Sequence, residues 1–379
     1  MLGKRSTIGR LRPLPTGSAR PWITCSWPTW IRRVLRRMPA MILAGDIGGT
    51  HSRLALFVAG EPVARFEQTL PSRDYTDFSA LLSCFLDLAG RHDHGRIEAA
   101  AFGIAGPVQG EGADARVQAT NLPWTLSAAA IGKALGGAPV RLVNDLIAVG
   151  LGALASPVDR RVNLNPEATP AEGHAAVIAP GTGLGEALFF HDGQGHQPMP
   201  SEGGHCDFGP NDERETALLA YLRGRFGGHV SYERILSGDG FSSLYAFARH
   251  AELGRPAPGA DGQLSAASDP NALITQWANR GEDDCAVIAC RLFARILGAE
   301  AGNLALKALP TGGVFLAGGI VGHILPFLRE QTLEGFLDKG RFATMLGRLT
   351  LWVVADGGLG LAGARQLAER EMDSSRGER

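Results

Sequence analysis

Gly45-Asp46-Ile47-Gly48-Gly49-Thr50 joins two apolar runs, 41–45 and 51–58. Runs of that length bounded by glycine read as strands, with the hexapeptide as the turn between them. Adjacent glycines let backbone N–H groups point at an anion with no Cβ in the way. A carboxylate beside such an anion is unfavourable unless a cation lies between them. Asp46 therefore points to Mg²⁺, held directly or through water, and Thr50 adds a hydroxyl donor. Taken alone, a plain hairpin turn is the competing explanation. A second turn, Gly181-Thr182-Gly183-Leu184-Gly185, repeats the setting between strands 175–179 and 184–190. Two such turns opening two halves of one chain point to duplicated lobes clamping a polyphosphate. Neither is a P-loop, since G-x-x-x-x-G-K-[ST] does not occur.

Around the first turn the pattern predicts a meander of strands (41–45, 51–58, 62–70), a helix over 74–89 and a buried strand over 97–104. A helix at 127–135 capped by Ser127, a strand at 140–143 and a helix after Asp145 follow. The second half repeats the opening. A polar Gly-rich stretch, 191–210, then leads to helices at 213–226 and 240–251. Residues 256–268 read as an exposed loop and 284–306 as a long helix. Strands at 314–317 and 349–355 are each followed by a helix, and the tail from Met372 reads as disordered. The class is mixed α/β.

Asn144-Asp145 ends a buried strand, where polar side chains usually face a cleft. An amide beside a carboxylate suits vicinal sugar hydroxyls, although a helix cap would use the same residues. Glu202 and His205, in Glu202-Gly203-Gly204-His205, suit hydroxyls or a metal; no further His or Cys stands at structural-metal spacing. Glu233 alone reads equally well as a solvated charge at a helix start. Gly318-Gly319 follows a strand and would let a flat ring lie against the backbone; a packing turn is the alternative. Gly358-Leu359-Gly360-Leu361-Ala362-Gly363 matches the dinucleotide fingerprint, but too little chain follows for a second strand, so it reads as a closely packed helix start.

A chain of 379 residues favours two lobes. Five cysteines without C-x-x-C spacing suit a reducing cytoplasm, and no apolar run is long enough to span a bilayer. Residues 1–40 carry nine Lys/Arg and no acid. Taking these nine from 37 basic residues leaves 28 against 38 acidic ones, a net of −10 for the body. An acidic body argues against nucleic acid as partner. The basic segment is expected to be an extension outside the fold, with Met38 or Met41 as the start. An Arg-rich targeting segment and a nucleic-acid or membrane-binding arm are the alternatives.

The chain resembles the bacterial glucokinase family of the hexokinase–actin–heat-shock ATPase superfamily over about 41–366. The resemblance rests on Ala44–Thr50, Asn144-Asp145, Pro180–Gly185, Ser201–His205, Tyr232–Gly238, Gly302–Leu306 and Phe315–Ile320, in family order. It implies a two-lobe ribonuclease H-like (actin-like ATPase) fold with the active site in the interlobe cleft. The expected lobes are 41–153 plus 357–371 and 154–356, with 372–379 a disordered tail. It implies ATP and Mg²⁺ as cofactors. Gly45, Asp46, Ile47, Gly48, Gly49, Thr50, Gly181, Thr182 and Gly183 would hold the phosphates, with Gly318 and Gly319 flanking the adenosine. Asn144, Asp145, Glu202, His205 and Glu233 would hold glucose, and Asp145 would be the base at its 6-hydroxyl, giving glucose 6-phosphate as the first step of glycolysis. A cytoplasmic homodimer, binding neither nucleic acid nor membrane, is the expected setting.

The chain departs from the family at Ala179, where glycine is usual, and at Glu186, where an apolar residue is common. A carboxylate at 186 would either weaken phosphate binding or point away. The Cys-rich zinc motif of the repressor–kinase relatives is absent. The alternatives are a kinase for another hexose or with another donor, a non-catalytic sugar sensor on the same fold, and a phosphohydrolase of the superfamily.

Overall fold

The computed structural model describes residues 39–90 and 95–377. The expectations for the basic N-terminal segment lie outside the described residues, apart from Pro39 and Ala40. The first half contains β1 (Met41–Ile47), β2 (His51–Val58), β3 (Ala64–Pro71), α1 (Phe78–Gly90), β4 (Ile97–Ile104) and three short strands, β5 (Val108–Gln109), β6 (Arg116–Gln118) and β7 (Thr125–Ser127). It continues through α2 (Ala128–Ala134), β8 (Val140–Asn144) and α3 (Asp145–Ala155). The second half runs β9 (Val162–Asn163), β10 (Ala175–Pro180), β11 (Leu184–His191), β12 (His196–Ser201), α4 (Glu213–Phe226), α5 (Gly238–His250), α6 (Ala260–Ala266), α7 (Pro270–Arg280) and α8 (Asp284–Ala308). Then come β13 (Gly313–Ala317), α9 (Gly319–His323), α10 (Leu325–Leu337), α11 (Ala343–Leu346), β14 (Leu351–Val354) and α12 (Leu359–Gly377).

The duplication is explicit in the sheets. The first has the order β3-β2-β1-β4-β8 and the second β12-β11-β10-β13-β14-β9. In each, the leading strand pairs antiparallel with the next in sequence and parallel with a later one. Only β9, antiparallel to β14, is extra. β1 and β10 are central and near-continuously apolar because both their faces are buried. One core fills the outer face of the first sheet, under α1 and α2. A larger one lies around α5 and α8. A third, around α3 and α12, takes residues from both sheets, including Ala44, Ala101, Val177 and Phe315.

Glycine sets how closely α3 and α12 approach. A Cβ on Gly152 would land on the Leu359 carbonyl, and one on Gly363 would land on the Ala148 carbonyl. The fingerprint-like 358–363 is thus a helix-on-helix contact. It also reaches the cleft: a Cβ on Gly360 would come within 2.6 Å of the Asp46 carboxylate.

The structure corrects two expectations. Residues 256–268 are not all loop, since α6 forms there; its sequence has no apolar stripe, but Ala260 is buried and Asp261 pairs with Arg249. The tail is not disordered from Met372. α12 continues to Gly377, with Met372 buried beside Ala368 and Arg370 Nη1 donating to the His196 carbonyl at 3.0 Å. Residues 378–379 lie outside the described residues. β12 and the β5–β7 sheet were not expected from sequence, because short polar strands carry little periodicity. α7 was overlooked despite a readable signature. Asp269 caps it, accepting from Ala272 N at 3.0 Å, Pro270 opens it and Gly281 closes it in the left-handed region.

Candidate active site

The C-terminal ends of β1, β4 and β8 bring the small-lobe residues together. Register places Asp46 beside Gly103, and Ile104 beside Asn144. Asn144 is the N-cap of α3. Its Oδ1 accepts from Leu146 N at 3.0 Å and its Nδ2 donates to the Gly106 carbonyl at 3.2 Å. Much of its amide is spent on holding the strand–helix junction. Asp145 is the first helical residue, half-buried, with Oδ1 accepting from Leu146 N at 2.9 Å. Burial raises its pKa above the ordinary carboxylate range, against the lowering effect of that N–H. Asp46 is pushed up to about 6, first by burial and then by the charge of Asp145, with Arg53 opposing. Two carboxylates close enough to repel therefore face one space.

The first glycine turn is pinned from behind. Ser72 Oγ donates to the Gly48 carbonyl at 2.7 Å, and Ser72 N donates to the Thr50 carbonyl at 2.8 Å. Ile47 is buried in the small-lobe core, so only its backbone faces the turn. A Cβ on Gly49 would sit 2.7 Å from Asn121 Cβ. Asn121 was not singled out from sequence, because nothing local distinguishes it.

The second turn is built into the large lobe. Gly181 N donates to the Gly183 carbonyl at 2.8 Å, and Gly238 N, at the start of α5, donates to the Gly181 carbonyl at 2.9 Å. Glu233 supports it from one side, its Oε2 accepting from Leu184 N at 3.1 Å. That oxygen would lie 2.5 Å from a Cβ on Gly183, so any side chain there would displace the Glu233 carboxylate. His205 Nε2 approaches the same oxygen at 4.0 Å. His205 closes a short turn whose first N–H to carbonyl bond runs from its own N to Glu202 at 3.0 Å. The structure thus joins Glu233, His205 and the second turn, which sequence distance had left separate. Leu146, next to Asp145, packs where a Cβ on Gly185 would be 2.8 Å away, which links this group to the base of α3.

Beside the second turn lies a cavity of about 560 Å³, lined by Thr182, Asp239, Asn271, Thr275, Ile320 and His323 among others. Gly318, two residues before the lining residue Ile320, lies in the left-handed region at φ 101°, and a Cβ there would come within 2.9 Å of the Pro180 carbonyl. Gly319 begins α9. Asn271 fixes α7 to α5: Nδ2 donates to the Gly238 carbonyl at 2.9 Å, and Oδ1 accepts from Ser242 Oγ at 2.7 Å. The α7 side of this cavity was missed from sequence along with the helix itself.

Two sheets of one topology, each opening on a glycine turn, with paired acids at strand ends, define a two-lobe actin-like ATPase. Relatives narrow the class. The glucokinase family model matches residues 43–371. A glucokinase of Synechocystis sp. is 37% identical over 349 residues, covering 86% of this chain and 97% of the relative. One from Hahella chejuensis is 34% identical over 331 residues, covering 87% and 97%. Among solved structures, a glucokinase from an Antarctic psychrotroph superposes with a TM-score of 0.74 at 28% identity, covering 87% of this chain and 99% of the other. A ROK-family glucokinase from Streptomyces griseus, in complex with glucose and AMPPNP, shares the fold at TM-score 0.60 and 20% identity, covering 87% and 100%. The chain belongs to the glucokinase family, and it is an ATP-dependent sugar kinase.

Proposed function

We propose that the chain transfers the γ-phosphoryl group of ATP to the 6-hydroxyl of glucose, with Asp145 as general base. The observation that carries this assignment is the half-buried Asp145 carboxylate, raised in pKa and facing Asp46 at the ends of β1 and β8. Phosphoryl transfer asks chiefly for positioning and charge neutralisation. Glu202, His205 and Glu233 orient the sugar, with Asn144 holding its strand–helix junction in place. The two glycine turns hold the phosphates, and the cavity beside Gly318 and Gly319 takes the adenosine. Asp145 accepts the hydroxyl proton as the O–P bond forms, since a carboxylate cannot remove it beforehand. Closure of the lobes on sugar would exclude water as a competing acceptor.

Asp46 suits Mg²⁺. Its oxygens are hard donors, and its pKa is raised first by burial and then by the charge of Asp145, both of which a bound cation would offset. Bound there with the nucleotide, Mg²⁺ would offset phosphate charge. The same reading takes the lobes as 41–153 with 357–371 and 154–356, in line with the span of each sheet, and the setting as glycolysis in a cytoplasmic homodimer. No helix among the described residues is long and apolar enough to cross a membrane.

The test is a coupled assay of ATP consumption with and without glucose, then with mannose, fructose and N-acetylglucosamine. Glucose-dependent turnover is expected. Sugar-independent hydrolysis would indicate a phosphohydrolase, and binding without turnover a sensor. Glu233→Ala is expected to raise the glucose KM by roughly 10–100-fold, the worth of charged hydrogen bonds; an unchanged KM removes Glu233 from the pocket. Asn271→Leu is expected to raise the ATP KM about tenfold while sparing that for glucose. Equal effects on both would show a general loss of fold instead.

A further inference from the structure

Four carboxylates are buried among the described residues: Glu186, Glu215, Asp283 and Glu300. Two have ordinary partners. Asp283 accepts from Tyr245 Oη at 2.8 Å and from Ala257 N at 2.7 Å. Glu215 accepts from Asn211 N at 2.7 Å and faces Arg295 at 3.5 Å. Glu186 differs, for neither of its carboxyl oxygens has a hydrogen-bond partner, and one oxygen of Glu300 is likewise unpaired. An unpaired buried carboxylate is costly, so this pair calls for an explanation.

Each member touches one of the segments assigned to glucose. Glu186, on β11, lies opposite Ser201 on β12. A Cβ on Gly203 would land on the Glu186 carboxyl, so Glu186 presses against the turn between Glu202 and His205. Glu300, on α8, accepts from Asn303 Nδ2 at 2.9 Å, and the same amide donates to Tyr232 Oη at 3.1 Å. Tyr232 directly precedes Glu233. The side chain at 186 thus points away from the phosphate turn, into the floor beneath the sugar residues.

We propose that Glu186 and Glu300 form a buried carboxyl pair that positions both sugar-binding segments, Glu186 through Gly203 and Glu300 through Tyr232. This rests on the assignment of Glu202, His205 and Glu233 to glucose. The pair sits together only while at least one member is protonated, since like charges in a buried site cannot both ionise cheaply. Burial, then the charge of Glu300, pushes Glu186 up to about 8, with Lys307 opposing. Burial also raises Glu300, against the effects of Asn303, Lys307, Tyr232 and Lys339. Lys339 in turn faces Asp338 and Glu215. Above about pH 8 the second negative charge would push the floor apart, and the grip on glucose would loosen. Because the folded pKa of Glu186 is raised above 4.5, its contribution to stability is full below about pH 4.5. That contribution is lost progressively as pH rises to about 8.

The experiment measures glucose KM, ATP KM and kcat from pH 6 to 9.5 for the full chain, Glu186→Gln and Glu300→Gln. In the parent, glucose KM is expected to rise about tenfold between pH 7 and 9, equivalent to one pKa unit of coupling, with ATP KM little changed. Glu186→Gln keeps the shape of the protonated acid, so it should match the parent at pH 6.5 and lose the alkaline rise. Glu300→Gln leaves a single ionisable member, so no second charge can form and the alkaline rise should be lost there too. A profile for Glu186→Gln that rises as the parent's does would overturn the proposal, as would a rise retained in Glu300→Gln. If one variant does not fold, the other alone decides. Loss of the sugar assignment itself reads differently, as an unchanged glucose KM in Glu233→Ala.

Discussion

Asp145→Ala is expected to lose ~10²–10⁴-fold in kcat, the usual contribution of a positioned general base. The loss should fall on kcat more than on either KM, because the proton transfer belongs to the transition state. The side chain accepts from backbone N–H groups of its own first helical turn, Leu146 N at 2.9 Å among them, and the cap of α3 is supplied by Asn144. The fold should therefore survive, and circular dichroism with thermal unfolding would verify this. The raised pKa of Asp145 adds a second readout. The acid limb of kcat/KM should lie above the ordinary carboxylate range and disappear in Asp145→Asn. A folded Asp145→Ala that turns over at near-parent rate would rule the residue out as base.

Gly363→Val is expected to act through packing alone. Its side chain would meet the Ala148 carbonyl where α12 crosses α3, and neither helix can move freely because both lie in the core shared by the two sheets. Overpacking of this kind costs about 3 kcal/mol, a fall in Tm of roughly 4 °C for a chain of this length. Activity should fall as well, since α3 carries Asp145 at its start and α12 sets Gly360 against Asp46. Gly357→Ala is the control, because no neighbouring atom lies within 4 Å of a Cβ there. A normal Tm for Gly363→Val, or an equal loss in the control, would show that the helix contact is not what fixes the lobes.

The fold alone does not separate a kinase from a sensor. Folds of this kind host several functions. What separates the possibilities is the set of side chains in the cleft, which is why the two glycine turns and Asp145 carry more weight than the architecture.

The sequence by itself determined the two glycine turns, the strands on either side of them, the duplication and the set of candidate site residues. Each of these is written locally, as glycine at a turn, an apolar run at a central strand, or an acid at a strand end. Tertiary structure alone decided what depends on distant chain segments. Glu233 lies 49 positions beyond Leu184, yet accepts its N–H. Asn144 turned out to hold the cap, leaving Asp145 facing Asp46. Asn271 entered the lining of the cavity beside the second turn through a helix hidden in a polar stretch. The direction of Glu186 was equally illegible. Period-2 alternation says that a strand residue faces one side or the other, but only the packing of α8 against the second sheet makes that side a buried floor under the sugar residues.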